Sequence, residues 1–244
     1  MNHRFTPLLP KDPLQGPVLV LAAHPDDEVI GAGAMLAFHA RRGHAITVVH
    51  ATDGAKGDPA AREDDICAVR RREGKEALQR LGVGEPQHWD LPDGELPEHL
   101  TALTDRIRAA IAAVQPKTLY SFWFGEAHRD HRAVAAATAA AASALPADCR
   151  CLLFGVNHVV PGGVLFDTTD TYPAKYRALQ AYASQNVYVD LPGMSEHRDR
   201  AATVNLDIGG VLYGEMFADL RPAELPRAAQ LATELHGLLL RDES

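Results

Sequence analysis

Two short polar clusters in the sequence combine imidazole and carboxylate side chains in a way that suits metal and proton chemistry. The first, HPDDE, occupies residues 24–28 and offers one histidine and three carboxylates. The second, HRDH, occupies residues 128–131 and offers two histidines and one carboxylate. Two imidazoles and one carboxylate around a divalent ion, with an open position for water, are the usual build of a catalytic zinc site. Such an ion lowers the pKa of its bound water to about 7, which prepares the water for hydrolysis.

Neighbouring side chains within each cluster suit different roles. Asp26 and Asp27 are adjacent, and in most turns adjacent side chains do not point the same way. One of them can therefore bind the ion while the other accepts a proton from the water. His128 and His131 are three residues apart at a predicted helix start and can share one face. We expect one imidazole to bind metal and the other to face the substrate, with Asp130 orienting one of them through a hydrogen bond.

The predicted elements place both clusters at one edge of a sheet. Residues 18–22 are a continuous apolar run, typical of a strand buried on both faces, and HPDDE follows it directly. A helical pattern then continues to Gly43, and a second strand is predicted over 45–49. HRDH comes after a later strand over 118–122. Because ligands bind beyond the carboxyl ends of parallel strands, we expect the two clusters to meet there.

The rest of the chain continues the alternation of strands and helices. Further helices are predicted over 62–81, 100–114, 132–145, 172–183, 199–212 and 224–240, and further strands over 88–89, 152–156 and 164–166. Residues 1–15, which contain three prolines, are expected to form a loosely ordered lead-in. We therefore predict an α/β fold with a mostly parallel sheet, in a single domain over residues 1–244.

Composition excludes several classes of protein. A hydrophobic content of 46% with 23% charged residues is that of a soluble globular protein. The net charge of -8 disfavours nucleic acid and anionic lipid as partners. No stretch approaches the ~18 apolar residues of a membrane span. The three cysteines form no CxxC pair and fit a reducing compartment, and the first residues do not resemble a secretory leader, so we expect a cytoplasmic protein.

The clusters AHPDDE and HxDH, taken together, resemble the PIG-L family of zinc-dependent de-N-acetylases. This family includes N-acetylglucosaminylphosphatidylinositol deacetylases and the bacterial deacetylases of mycothiol and bacillithiol synthesis. Weaker matches extend the resemblance over most of the chain, at residues 52–54 (TDG), 70–73 (RxxE), 92–94 (PDG), 184–185 (SQ) and 215–217 (ExF). The segment between Phe154 and Phe166 does not match well, so the substrate pocket stays undefined.

The resemblance implies a fold, a metal and a substrate class. The implied fold is a Rossmann-like three-layer α/β sandwich in which His24, Asp27 and His131 hold the ion. The implied ion is Zn²⁺, with Fe²⁺ as an alternative in the cell. The implied substrate is a small N-acetylated sugar conjugate of the N-acetylglucosamine type. Because similar proteins are often oligomers, a homo-oligomer is expected as well.

The same resemblance implies catalytic roles for the remaining cluster residues. Asp26 matches the general base, and His128, positioned by Asp130, matches the acid or oxyanion stabiliser. Arg70 falls where the family has a substrate-contacting arginine. The source of the proton for the departing amine stays open between Asp26 and His128. Because one group must be ionised and another protonated, the activity is expected to have a bell-shaped pH dependence.

Three alternative functions are compatible with parts of the sequence. A non-catalytic Rossmann nucleotide-binding module is suggested by residues 31–33 (GAG) with Asp53 about 20 residues later. Leu36 stands where the third glycine belongs, however, and the carboxylates of residues 26–28 would repel a pyrophosphate. A non-haem iron oxygenase would also use two histidines and one carboxylate, but the alternating α/β pattern argues against it. A zinc amidase acting on a non-sugar or thiol-conjugate amide is the nearest alternative.

Two further histidines lie near the predicted site. His50 ends the second strand and is expected to serve packing. His158 lies in the poorly matching segment, from which it can reach the pocket. Its role is open at this point.

Overall fold

The computed structural model describes residues 6–239, which form a three-layer α/β fold. Its strands are β1 (Leu8–Leu9), β2 (Val18–Ala22), β3 (Ile46–Thr52), β4 (Gln87–Leu91), β5 (Thr118–Phe122), β6 (Arg150–Phe154), β7 (Val164–Asp167) and β8 (Gly214–Leu220). Its α-helices are α1 (Asp27–Arg41), α2 (Ile66–Leu81), α3 (Leu100–Val114), α4 (Arg129–Ala140), α5 (Tyr172–Leu179), α6 (Ala183–Asn186), α7 (Leu191–Ala201) and α8 (Leu225–Leu239). The predicted α/β class with a mostly parallel sheet is confirmed.

The strands form one sheet between two layers of helices. The strand order is β1-β7-β8-β6-β5-β2-β3-β4, and β8 runs antiparallel to both of its neighbours. Helices α1, α2, α5 and α7 pack together in one layer, while α3, α4 and α8 pack together in the other. All residues of β2 and β5 are buried, as their apolar sequences require for central strands covered on both faces. Within residues 6–239, no helix is long and apolar enough to cross a membrane.

The chain changes direction across the sheet between β2 and β5. From β2 it continues outward through β3 to β4, and it then returns to β5, which pairs in parallel with the other side of β2. The carboxyl ends of β2 and β5 therefore flank a crevice where strand order reverses. The HPDDE cluster follows β2 and the HRDH cluster follows β5 after a short loop, so both clusters lie at this crevice.

The largest errors of the sequence prediction lie near the carboxyl end. The helix predicted over 199–212 is wrong: α7 ends at Ala201 and β8 begins at Gly214. Part of the expected lead-in is also ordered differently, because Leu8 and Leu9 pair in parallel with β7, while residues 1–5 lie outside the described residues. The helix predicted over 172–183 ends at Leu179.

A buried ion cluster connects β8 to the middle of α1. Lys175 is fully buried, and its Nζ donates to Asp199 Oδ2 at 2.6 Å and to Glu215 Oε1 at 2.7 Å. The Glu215 carboxylate also accepts the backbone N–H groups of Ala34 at 3.0 Å and Met35 at 2.9 Å. The cluster therefore fixes the helix whose first turn carries the HPDDE carboxylates.

Replacing Lys175 with methionine is expected to lower the free energy of unfolding by about 3–5 kcal/mol, because Glu215 is then left buried without a cation and Asp199 keeps only Arg198. The exposed Lys117, which pairs with Asp148, provides a matched control. Its replacement by methionine should cost about 0–1 kcal/mol. Guanidinium unfolding of both variants measures the difference, and equal losses would contradict a stabilising role for the buried cluster.

Candidate metal centre and catalytic cleft

Three side chains bring ligand-type atoms together at the crevice. His24 follows β2, Asp27 begins α1, and His131 lies in the first turn of α4. Nδ1 of His24 is 3.2 Å from Asp27 Oδ2 and 3.3 Å from His131 Nε2. His131 Nε2 is in turn 3.2 Å from Asp27 Oδ1. The structure thus brings together the three residues that the family resemblance implies as metal ligands.

The spacing of these atoms fits a divalent ion. A tetrahedral ion with bonds of about 2.0–2.1 Å holds its ligand atoms about 3.3–3.4 Å apart, and two imidazoles with one carboxylate leave a fourth position open. Burial opposes the charge on His131, but Asp27 and Glu126 outweigh burial and raise the pKa of this imidazole to about 9. Burial likewise opposes ionisation of Asp27, yet His131 and His24 hold its pKa well below the usual value. A cation that binds here displaces protons from the same atoms.

The opposite nitrogen of His24 faces two other carboxylates. Its Nε2 lies 3.1 Å from Asp93 Oδ1 and 3.3 Å from Asp130 Oδ2. Asp130 also accepts the backbone N–H groups of Gly94 at 2.7 Å and Leu96 at 3.1 Å. Carboxylates that accept the outer N–H of a metal-binding imidazole fix its tautomer and its orientation. Asp93 therefore supports the site, a role that the sequence analysis missed.

The Asp130 carboxylate does not form the predicted hydrogen bond with His128. The carboxylate is directed at His24 and at the loop after β4 instead. Asp130 contacts His128 through its backbone, because its N–H donates to His128 Nδ1 at 3.2 Å. An acceptor role for Nδ1 places the proton of the neutral imidazole on Nε2. Partial burial and the nearby His24 and His131 lower the pKa of His128, which favours this neutral form.

Glu126 holds the imidazole of His131, the second histidine of the candidate ligand group. It is fully buried, and its Oε2 accepts from His131 Nδ1 at 2.7 Å. The same carboxylate accepts the backbone N–H groups of Val156 at 3.0 Å and Asn157 at 3.2 Å. Glu126 therefore joins α4 to the loop after β6. The sequence analysis noted this residue only as part of a polar loop, since nothing local to it indicates which backbone groups it meets.

Replacing Glu126 with glutamine is expected to weaken metal binding about 10–100-fold. When the amide oxygen takes the place of Oε2 and accepts from His131, the NH2 group takes the place of Oε1 and faces the backbone N–H of Val156. Glu98→Gln is the matched control, because Glu98 is exposed and pairs with Arg129. Competition against a fluorescent chelator gives both affinities, and an unchanged affinity in Glu126→Gln would refute the supporting role.

Asp26 lies beside the candidate ligand group and is held by Arg70. Nη2 of Arg70 is 3.0 Å from Asp26 Oδ2, and its Nη1 donates to the backbone oxygen of Gly54 at 3.2 Å. A side chain at Gly57 would begin 2.5 Å from Nη1, so this loop needs glycine to admit the guanidinium. Burial raises the pKa of Asp26 to about 6 although Arg70 opposes the rise. This carboxylate can therefore exchange a proton near neutral pH.

These groups line one open cleft of about 380 Å³. Its lining includes His24, Asp27 and His131 together with Asp26, His128, Lys56, Arg70 and Asp93. Arg70 is 4% exposed, so it reaches the cleft although most of it is enclosed. His158 lines a separate, smaller cavity rather than this cleft. His50 is fully buried, and its Nε2 lies 3.0 Å from Glu28 Oε1.

Fold and site together match the class of α/β proteins that hold a His/Asp metal group at the carboxyl ends of a parallel sheet. The chain belongs to the PIG-L family. The family model, described as GlcNAc-PI de-N-acetylase, matches residues 19–142, which include both clusters. The resemblance inferred from the clusters is thereby confirmed, and the protein is a member of a de-N-acetylase family.

Individual relatives carry related names. The Bacillus anthracis protein named "Probable N-acetyl-alpha-D-glucosaminyl L-malate deacetylase 2" is 30% identical over 182 residues, which cover 69% of this chain and 80% of that protein. The 1D-myo-inositol 2-acetamido-2-deoxy-alpha-D-glucopyranoside deacetylase of a Nocardioides species is 32% identical over 163 residues, covering 52% and 54% of the two chains. N,N'-diacetylchitobiose deacetylase from Pyrococcus horikoshii has the same fold, with a TM-score of 0.71, 22% identity and coverage of 85% and 84%.

Proposed function

We propose that the protein is a zinc-dependent hydrolase that removes the acetyl group from a sugar conjugate of the N-acetylglucosamine type. The observation that carries this proposal is the close approach of His24, Asp27 and His131, with one Asp27 oxygen 3.2 Å from each imidazole and the two imidazole nitrogens 3.3 Å apart, beside the Asp26 carboxylate in an open cleft. The names of the relatives support the substrate class, since each describes the deacetylation of an acetamido sugar.

His24, Asp27 and His131 would hold the ion through Nδ1, the carboxylate and Nε2. When bound, the ion supplies a Lewis acid that polarises the acetamide carbonyl and eases deprotonation of water. Zn²⁺ suits two imidazoles and one carboxylate, and Fe²⁺ uses the same donors. Asp93, Asp130 and Glu126 keep the two imidazoles oriented toward the common point.

Asp26 takes the role of general base. Arg70 holds its Oδ2, so Oδ1 is the oxygen that accepts the proton of the attacking water. A carboxyl with a pKa of about 6 is mostly ionised at neutral pH, so it can accept a proton from the water. It can also hold this proton until the proton is passed on. We assign delivery of this proton to the departing amine to Asp26, because the lowered pKa of His128 favours its neutral form and its Nδ1 already serves as an acceptor.

His128 acts as a hydrogen-bond donor in this proposal. Its neutral tautomer carries the proton on Nε2, and the residue lines the cleft beside His24 and His131. An N–H donor placed in advance stabilises the negative charge that develops on the carbonyl oxygen. Arg70 is proposed to contact substrate with the part of its guanidinium that reaches the cleft.

Acetate release from a panel of N-acetylglucosamine conjugates tests the proposal. The panel contains the free sugar and its methyl glycoside, inositol, malate, nucleotide and oligosaccharide forms, each with and without a chelator. We expect chelator-sensitive release from at least one conjugate, restored by added Zn²⁺. No release by metal-loaded protein from any conjugate would contradict the sugar assignment and favour an amidase acting on a non-sugar or thiol-conjugate amide.

A further inference from the structure

Part of the cleft lining is apolar, although the cleft also holds the charged residues of the proposed centre. This apolar wall consists of Ile30, Val156, Val189, Leu191 and Met194. Three of these side chains are buried, but Val189 is 48% exposed and Met194 is 37% exposed. Apolar side chains exposed beside a concave polar site are typical of a ligand-binding surface.

The segment that carries the exposed part of the wall is fixed by its polar side chains. Asn186 donates to the backbone oxygen of Leu179 at 3.0 Å and accepts the N–H of Leu191 at 3.1 Å. Asp190 caps α7 by accepting the N–H of Gly193 at 3.0 Å. The hydroxyl of Tyr188 donates to Asp58. The polar groups are thus engaged with the protein, which leaves the apolar side chains facing the cleft.

Helix α6, which precedes this segment, is anchored by residues that lie near the candidate site. Glu73 of α2 accepts both the backbone N–H of Ser184 at 2.8 Å and its hydroxyl at 2.6 Å. Gln185 donates to the backbone oxygen of Gly57 at 3.1 Å, next to the guanidinium of Arg70. The wall is therefore held in position relative to the Asp26 carboxylate.

We infer that the apolar wall is a subsite for an apolar aglycone attached to the N-acetylated sugar. The inference rests on the proposed function, because it assigns the part of the substrate that extends beyond the acetamide. An aliphatic or aromatic group against this wall removes apolar surface from water on both sides. A strongly polar aglycone would lose hydrogen bonds to water there, and the wall itself has none to replace them.

The test compares two glycosides of N-acetylglucosamine that differ only in aglycone length, methyl and hexyl, together with a carboxymethyl glycoside. We expect kcat/KM for the hexyl form to exceed that for the methyl form about 10-fold, mainly through a lower KM. The variant Val189→Thr/Met194→Gln keeps the side-chain shapes and should abolish this preference, so that kcat/KM for the hexyl form falls to that for the methyl form. Val204→Thr/Leu212→Gln is the matched control, because both side chains are exposed and neither lines the cleft.

Binding of the deacetylated products gives a readout that does not depend on turnover. Calorimetric titration with hexyl and methyl glucosaminides should show tighter binding of the hexyl form, lost in the wall variant and retained in the control. Equal kcat/KM for methyl and hexyl forms, best turnover of the carboxymethyl form, or a preference that survives in the wall variant would overturn the inference.

Two further outcomes separate this inference from its rivals. A wall variant that changes sedimentation behaviour without changing the hexyl preference would show that a second copy of the chain covers the wall, and would overturn the subsite. Absence of acetate release from every glycoside would refute the proposed function. In that case, preferential binding of the hexyl glucosaminide would still support the subsite, and its absence would refute it as well.

Discussion

Replacing Asp26 with asparagine is expected to lower kcat about 10²–10⁴-fold while one equivalent of metal stays bound. The amide still accepts a hydrogen bond from Arg70, which lies 3.0 Å from Oδ2, but it takes no proton from water. The three ligand atoms belong to other residues, so metal content should not change. Steady-state kinetics and elemental analysis of the same preparation measure both quantities.

Asp105→Asn serves as the control for this prediction, because Asp105 is exposed on α3 and pairs with Arg108. It should retain full activity and full metal content. An Asp26→Asn protein with near-normal turnover would remove Asp26 from the role of general base. A protein that instead loses its metal would show that Asp26 belongs to the ligand group.

The second large effect is expected for Asp27→Ala, which should lose both the metal and nearly all turnover. Asp27 is the only anionic member of the proposed ligand group, and its two oxygens lie 3.2 Å from His24 Nδ1 and His131 Nε2. Loss of the ion removes several kcal/mol of transition-state stabilisation, so kcat/KM should fall about 10³-fold or more.

Asp27 also accepts the backbone N–H of His24 at 2.7 Å, so the alanine variant changes the local turn as well. Asp27→Asn keeps an oxygen that can accept this hydrogen bond and removes the charge. Circular dichroism should report an intact fold for the asparagine variant, and elemental analysis should report greatly reduced metal. Retention of one equivalent of metal in both variants would exclude Asp27 as a ligand.

Much of the site could be predicted because its residues follow central strands directly. The apolar run of β2 ends where His24 begins, and β5 is followed after a short loop by His131, so strand periodicity alone placed both clusters at one edge. The family resemblance then implied which residues of the two clusters form the ligand group. The same local information placed the Asp130 carboxylate wrongly, since its acceptor position is set by the N–H groups of Gly94 and Leu96, about 35 residues away in sequence.

The sequence analysis also predicted no strand over β8, for a similar physical reason. In β8, the charged Glu215 is buried beside the apolar Phe217. The sequence therefore does not show the alternation of apolar and polar residues that is expected of a strand. The carboxylate is tolerated because Lys175 donates to it, and this partner lies 40 residues earlier. A buried charge whose partner is distant in sequence therefore misleads any prediction from local polarity. The single domain over residues 1–244, the cytoplasmic location and the homo-oligomer stay predictions.

The centre and the cleft wall lie in different parts of the chain, and this separation bears on how the protein can change over time. The proposed ligands and the proposed base all lie within residues 19–142, the part that the family model matches. Four of the five wall residues lie beyond it, between residues 156 and 194. Substitutions in the later segment can therefore accumulate without disturbing the reacting atoms. Relatives with the same chemistry can diverge in the conjugates they accept, and exchange of this segment between them offers a route to new selectivity.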